Sequence, residues 1–340
     1  MNITNSYAIN FIYTTLKTQN YSVNLKCNST QNISFRAFDT LELKNFNINF
    51  TGYKNLININ PYKALENIDS SKAIEDYIKN GMFIHVPPIG YKKFGEVFWE
   101  HFMSLKAQLK DITDSDLVYL KLRELAEKLS SPEELDKSAI RQVSERATVL
   151  GHNVKSLLNE NRIKIDSNSV YLDVGCGNGE VAKCISEELK INPETIKGIE
   201  IIDRDDFCNI TRYKFDGKHI PESFEKSDFV TIFNVLHHTQ NDQEAYELLN
   251  SIYKHMKPNG TLLIRDHNTS SDNDIMYWQI RHLLPIKVSK VDPPCLVQDT
   301  VYHSDKEWIK MLTDIGFKMS FERKDKPFGN IYSFYLAMQK

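Results

Sequence analysis

Cysteine is scarce and poorly placed for disulfide or metal work. Cys27, Cys176, Cys184, Cys208 and Cys295 are an odd, scattered set with no CxxC or other metal-ligand spacing. Such thiols point to a reducing, cytoplasmic compartment rather than a disulfide scaffold. No run approaches the ~20 apolar residues of a membrane span, so membrane-spanning classes are set aside. The N-terminal MNITNSYAINFIYTTLKTQN lacks a basic start before its short apolar stretch, and no signal peptide is expected. An excess of one charge is missing as well: 42 Lys plus Arg face 45 Asp plus Glu, a formal charge of -3. A chain so balanced is not a general polyanion binder. Residues 86–150 hold ten basic and eleven acidic side chains, so charge gives nucleic acid no support there. The basic stripe Lys318, Arg323, Lys324 and Lys326 reads as a solvated face. Internal repeats and low-complexity tails are absent. What remains is 340 residues, 41% hydrophobic and 11% aromatic, enough for a sizeable core and incompatible with global disorder.

Composition divides the chain. The first 80 residues hold 15 Asn and residues 81–150 hold none. Short apolar stretches over 20–60, such as ISFRAF and LELKNFNINF, predict a strand-rich region. Pro87-Pro88-Ile89-Gly90 marks a turn. Ser115 can cap a helix whose Leu122, Leu125, Ala126 and Leu129 share one face. A second helix is predicted over 138–158, with Ile140, Val143, Ala147, Leu150, Val154 and Leu157 in one stripe. From residue 169 strands alternate with helices: VYLDVG, TIKGIEI, SDFVTIFNV and TLLIRDH against EVAKCISEELK and QEAYELLNSIYKHMK. That alternation calls for a doubly wound, mostly parallel α/β sheet. Ligands of such sheets sit outside the carboxyl ends of the strands, where strand order reverses.

The strongest chemical signal is Leu172-Asp173-Val174-Gly175-Cys176-Gly177-Asn178-Gly179, a buried strand running into a glycine-rich turn and then a helix. Glycines there permit positive φ and let a ligand lie against the backbone. A dinucleotide fingerprint needs a further glycine where this chain has Glu180. A carboxylate beside pyrophosphate repels it, which counts against NAD. Asp173 instead suits a cationic ligand group. Cys176 has no base placed to activate it and reads as a small filler.

This string resembles the first motif of class I S-adenosylmethionine-dependent methyltransferases, an acidic residue followed by G-x-G-x-G. Further segments match that family in order. Lys197-Gly198-Ile199-Glu200 is similar to its second strand, ending in the acid that holds the ribose hydroxyls, with Ile201 next. Phe215-Asp216-Gly217 is similar to the segment whose Asp faces the adenine amino group. Asn234-Val235-Leu236-His237-His238 resembles the end of its fourth strand. Met256-Lys257-Pro258-Asn259-Gly260 resembles the turn before its fifth. The likeness covers roughly residues 140–340. It implies a Rossmann-like, seven-stranded methyltransferase sheet and S-adenosylmethionine as cofactor. It also implies cofactor contacts from Asp173, the loop Gly175, Cys176, Gly177, Asn178 and Gly179, then Glu200, Ile201, Asp216, Gly217, Asn234 and Val235.

The implied reaction is a direct displacement, for which aligning the two reactants can supply most of the catalysis. A base is needed only where the acceptor arrives protonated. His238, His267 and Asp266 are the candidate catalytic residues, and Asn234, His237 and Arg265 are expected beside them. The acceptor is unassigned among small molecule, protein and RNA. Asn234 and Arg265-Asp266-His267 depart from the Lys-Asp-Lys-Glu set of ribose methyltransferases, while the C-terminal part has a loose likeness to virus-encoded methyltransferase domains. Residues 1–85 are expected to form a strand-rich region, 86–137 a helical connection and 138–340 the methyltransferase domain. The N-terminal part is the expected contact for a protein partner. Two alternatives stand beside the active enzyme: a catalytically silent subunit of this fold that activates a partner, and a viral-type RNA or cap methyltransferase.

Overall fold

The computed structural model describes residues 132–201, 210–271, 301–328 and 331–340, with isolated helical positions at 72–108 and at 274, 275 and 278. The strand-rich region expected over 20–60, the turn at Pro87 and the helix after Ser115 lie outside the described residues.

The described part opens with helix α1 (Pro132–Glu160) and continues through β1 (Tyr171–Val174), α2 (Glu180–Leu189), β2 (Ile196–Glu200) and β3 (Thr211–Lys214). Then follow β4 (Ser227–Phe233), a 3-10 turn (Leu236–His238), α3 (Asp242–His255) and β5 (Met256–His267). Helix α4 (Asp305–Ile315), β6 (Lys318–Phe328) and β7 (Ile331–Gln339) complete it. The seven strands form one sheet in the order β3-β2-β1-β4-β5-β7-β6. Strands β1 to β5 pair in parallel, and β7 inserts antiparallel between β5 and β6. The doubly wound sheet expected from the sequence is present. Because β1 lies between β2 and β4, the order reverses beside it, and the carboxyl ends of β1 and β4 frame the crevice.

Side-chain alternation along the strands divides the core between the two faces of the sheet. Leu172, Val174, Val230, Ile232, Leu262 and Ile264 face α3 and α4, where Leu248, Leu249, Ile252, Trp308 and Leu312 meet them. Tyr171, Phe229, Leu263 and Tyr335 face the other way, onto Leu150, Val154 and Leu157 of α1 and Ala182 and Ile185 of α2. Both faces are covered, so β4 reads as an almost unbroken apolar run. Each fully buried Leu, Ile or Val contributes ~1.5–3 kcal/mol. That burial fixes the strand register, and register places every functional side chain at the strand tips.

Two boundaries differ from the sequence reading. Helix α1 begins at Pro132, ahead of the 138 expected, because Pro is favoured in a first turn where its missing N–H costs nothing. Met256–Gly260 is not a turn before β5 but the irregular start of that strand. Met256 pairs with Ser227 and Thr261 with Phe229, so four residues bulge opposite Asp228. Asn259 takes the left-handed conformation the bulge requires, at φ 63°. Lys257 Nζ anchors the bulge to Asp228 Oδ2 at 2.8 Å. Among the described residues no helix is long and apolar enough to cross a membrane.

Candidate active site

The glycine turn is held open by backbone bonds. Gly175 N and Cys176 N both donate to Ile199 O, at 2.9 and 3.1 Å, which ties the turn to the tip of β2. Gly175, Gly177 and Gly179 all have positive φ, at 69°, 57° and 85°. Gly179 caps α2 in that conformation. The first two glycines are required for different reasons. A Cβ on Gly175 would come 2.3 Å from Val235 Cγ2, so the turn and the end of β4 pack in direct contact. A Cβ on Gly177 meets nothing within 4 Å. The turn therefore keeps a bare backbone facing open space at that residue.

Glu200 closes this space from β2. Its carboxylate is buried, with Oε2 accepting from Gly177 N at 2.8 Å and Oε1 from Ile201 N at 2.8 Å. Beyond it Ile201 is 51% exposed, an unusual position for a large apolar side chain at a strand tip. Gly217, at φ 88°, comes close to it: a Cβ there would lie 3.4 Å from Ile201 Cγ2. Asp216 is committed to its own turn. Its Oδ1 accepts from Lys218 N and His219 N at 2.8 and 2.7 Å, and Oδ2 meets the His219 ring at 2.7 Å. Partial burial pushes this carboxyl up, but the His219 ring and the two N–H donors prevail and leave its pKa lowered. Cys176 points away from the open side. Its Sγ packs over Gly198, where a Cβ would approach to 2.6 Å, and burial raises the thiol far above its usual range. Asn178 bonds Glu180 N through Oδ1 at 3.2 Å, within the turn.

Asp173 lies beneath the turn, 3% exposed. Thr231 Oγ1 donates to its Oδ1 at 2.5 Å. That leaves the Tyr171 hydroxyl as donor in its 2.8 Å bond to Thr231, so a buried chain runs from Tyr171 through Thr231 to Asp173. Burial, reinforced by the nearby Glu200 charge and opposed by the Thr231 bond, pushes the Asp173 carboxyl up to about 7. Thr231 was not foreseen. Its signal is one hydroxyl in the apolar run of β4, directly across from Asp173 in the parallel register.

The tips of β4 and β5 form a second cluster. Asn234, at φ 54°, donates its N–H to Arg265 O at 2.7 Å and accepts from Arg265 Nη1 at 2.8 Å. Arg265 is thereby engaged by Asn234. Asp266 is a buried hub, taking Leu236 N at 3.0 Å, His237 Nδ1 at 2.6 Å and His267 N at 2.7 Å. Burial alone would raise its pKa; His237 and the N–H donors outweigh it, so this carboxyl is lowered. Three imidazoles and an indole lie ring against ring in series, the first two pairs tilted and the last stacked. His238 meets His237 at 4.0 Å between centroids, His237 meets His267 at 4.3 Å, and His267 meets Trp278 at 3.6 Å. The segment 301–303 straps the cluster through Val301 N to His237 O and Thr269 N to His303 O. His238 is exposed, whereas His237, His267 and Asp266 are buried.

Of the three catalytic candidates, then, His238 alone is an exposed residue. The structure joins the cofactor candidates around Gly175–Gly179, Glu200 and Ile201. Val235 links that group to the histidine turn through its contact with Gly175. Trp278 has no sequence signal, since it lies eleven residues beyond His267 with no motif between them.

Residues 143–319 match the model of a methyltransferase domain family. No curated protein matches the chain. Solved structures resembling it include a SAM-dependent methyltransferase of Methanosarcina mazei, 17% identical, with TM-score 0.39, covering 52% of this chain and 94% of that one. One from Archaeoglobus fulgidus is 18% identical, with TM-score 0.40, covering 56% and 94%. Another, from Aquifex aeolicus, is 16% identical, with TM-score 0.39, covering 62% and 98%. With more than half of its length matched by that family model, the chain belongs to the methyltransferase domain family, whose methyl donor is S-adenosylmethionine.

Proposed function

We propose that this chain transfers a methyl group from S-adenosylmethionine to an acceptor bound at the tips of β4 and β5. The observation that carries the reading is the bare, left-handed backbone at Gly177 facing open space beside the buried carboxylate of Glu200. A group with ribose hydroxyls fits this pair, since a carboxylate has acceptor capacity beyond the two N–H bonds that Glu200 already takes. Ile201 and the Gly217 backbone offer an apolar edge for a flat base. Asp173 sits where a cationic group would be neutralised. When bound, S-adenosylmethionine supplies an electrophilic methyl group on a sulfonium. The protein's own work is then alignment of acceptor and donor, together with removal of one proton from any acceptor that carries it. His238, exposed at the outer end of the stack, takes that proton. On this reading residues 1–137 select the acceptor or contact a partner.

Calorimetric titration with S-adenosylmethionine and NAD side by side tests the cofactor. Labelled S-adenosylmethionine incubated with fractionated metabolite, protein and RNA pools identifies the acceptor. Binding of S-adenosylmethionine alone is expected, and binding of neither cofactor defeats the proposal. Glu200→Ala should weaken S-adenosylmethionine more than tenfold, because a hydrogen bond to a charged group contributes ~1.5–3 kcal/mol. Unchanged affinity would remove Glu200 from the site.

The raised carboxyl of Asp173 adds a pH dependence. Below about pH 7 the folded protein holds Asp173 protonated. A cationic ligand favours the ionised form, so binding below pH 7 must expel a proton. Affinity for S-adenosylmethionine should fall by up to ~tenfold per pH unit below 7 and level off above it. Fold stability carries the opposite sign. A carboxyl raised above its unfolded value stabilises most in acid, and that contribution is lost as pH climbs through about 7. Asp173→Asn should flatten the binding profile between pH 5.5 and 8, and a variant that keeps the full slope would show that the proton resides elsewhere.

A further inference from the structure

We propose that Arg265 is the docking point for a carboxylate on the methyl acceptor, which makes the acceptor a small organic acid. This rests on the methyl-transfer reading given above and assigns the acceptor's class. Arg265 lies near the tip of β5, opposite Phe233 at the end of β4, and is half-buried. Its guanidinium is fixed by neutral partners. Nη1 donates to Asn234 Oδ1 at 2.8 Å and Nη2 to Ser333 Oγ at 3.4 Å, while Cζ lies 5.6 Å from the centroid of the Tyr335 ring. Asn234 is tied down in turn. Its N–H donates to Arg265 O at 2.7 Å, in a left-handed conformation that Asn tolerates better than most residues. Arg265 and Tyr335 are direct partners in the antiparallel register of β5 and β7, so the arginine is held from both neighbouring strands.

What this grip omits is a counter-charge. Among the described residues no carboxylate pairs with Arg265. The next residue, Asp266, points to the opposite face by strand alternation and is taken by Leu236 N, His237 Nδ1 and His267 N. Two buried polar groups of one register pair, Arg265 Nε and the Tyr335 hydroxyl, have no hydrogen-bond partner among the described residues. A cation partly withdrawn from water without an anion is unfavourable, and unpaired polar groups beside it add to that. An incoming carboxylate supplies the missing charge. Each Nη has two N–H groups and donates one, which leaves one on each for the paired bonds that a carboxylate accepts from arginine. The charge also sets the class. One guanidinium balances one carboxylate, whereas a phosphate monoester carries about two charges at neutral pH. A nucleic acid calls for several cations along its backbone. Asn234 leads through Val235 into the turn that carries His238, so one segment serves the anchored end and the reacting end of the acceptor.

The test follows the Nε resonance of Arg265 by nitrogen–proton NMR in the full chain, assigned through its own side-chain couplings. Formate, the smallest probe carrying the group, should shift it saturably, with and without S-adenosylhomocysteine, and formamide at equal concentration should not. An unmoved resonance overturns the proposal, and so does one that responds to inorganic phosphate but not to formate. In turnover, label from S-adenosylmethionine should pass to the low-mass fraction of a metabolite pool, and the labelled product should keep a free carboxylate. A product without one, or label found only in protein or RNA, overturns the assigned class. Arg265→Gln should raise the pool concentration giving half-maximal rate by more than ~tenfold, the size of a lost charge-assisted pair. Affinity for S-adenosylhomocysteine should hold, and Arg265→Lys should recover part of the loss. A folded Arg265→Gln protein with weakened S-adenosylhomocysteine binding would put the arginine on the cofactor and overturn the proposal. Failure of S-adenosylhomocysteine to bind the wild type defeats the methyl-transfer reading instead and leaves the formate result standing.

Discussion

Gly177→Val should fold and lose S-adenosylmethionine, with affinity lower by ~10²-fold or more. Among the described residues no atom beyond its chain neighbours lies within 4 Å of a Cβ at this position, which leaves room for the branched side chain. Its cost to the fold is backbone strain alone, since φ of 57° is left-handed. That costs ~1–3 kcal/mol for a non-glycine residue and more for a β-branched one. The same empty volume is what a ligand beside Glu200 needs, and two methyl groups would occupy it. Gly175→Val is different, because its Cβ would strike Val235 at 2.3 Å, and the contact between the turn and β4 would have to break. This variant should lose stability as well as binding. Thermal unfolding with calorimetry separates the two. A Gly177→Val protein that binds normally would mean that the open space is not the cofactor site.

The difference between these glycines marks where the sequence stops speaking. Both were legible as turn residues, because positive φ after a buried strand calls for glycine. Which of them faces a neighbour and which faces open space depends on Val235, some sixty residues away and brought near by strand order. Glu200 was legible for a similar reason: strand β2 is short, apolar and ends on an acid. Asp216 follows β3 in a turn, and its local hydrogen bonds with Lys218 and His219 follow from a conformation that composition does not specify.

The histidine cluster was the least legible part. Leu236-His237-His238 and Arg265-Asp266-His267 were visible as strand ends, without any order of burial among them. Parallel pairing of β4 with β5 brings the two tips together, and the 3-10 turn then swings His237 inward and His238 outward. The strap at 301–303 lies in the segment with the loose viral likeness, which gave no hint of its contact with the histidine turn, and the Trp278 ring comes from a segment without a motif. Long-range closure of this kind is decided by packing, which a local pattern does not encode.

That inward–outward division yields the second large effect. His238→Ala should lower turnover by ~10²-fold or more while S-adenosylmethionine affinity holds, the usual size of a lost proton acceptor. The residue is exposed, so less stability goes with it than with a fully buried ring. His267→Ala should behave in the reverse way. Its ring is closed between His237 and Trp278, and removing it leaves a cavity beneath the stack. Large-to-small changes of a buried ring cost ~3–5 kcal/mol. The His267 variant should therefore show a lowered Tm before any specific loss of turnover. Measuring turnover, cofactor affinity and Tm for both variants tests the division. Equal losses of stability would place both rings in the packing. If His238→Ala keeps full turnover with intact folding, the acceptor reaches the site already deprotonated or gives its proton to another group, and the role of His238 as base falls.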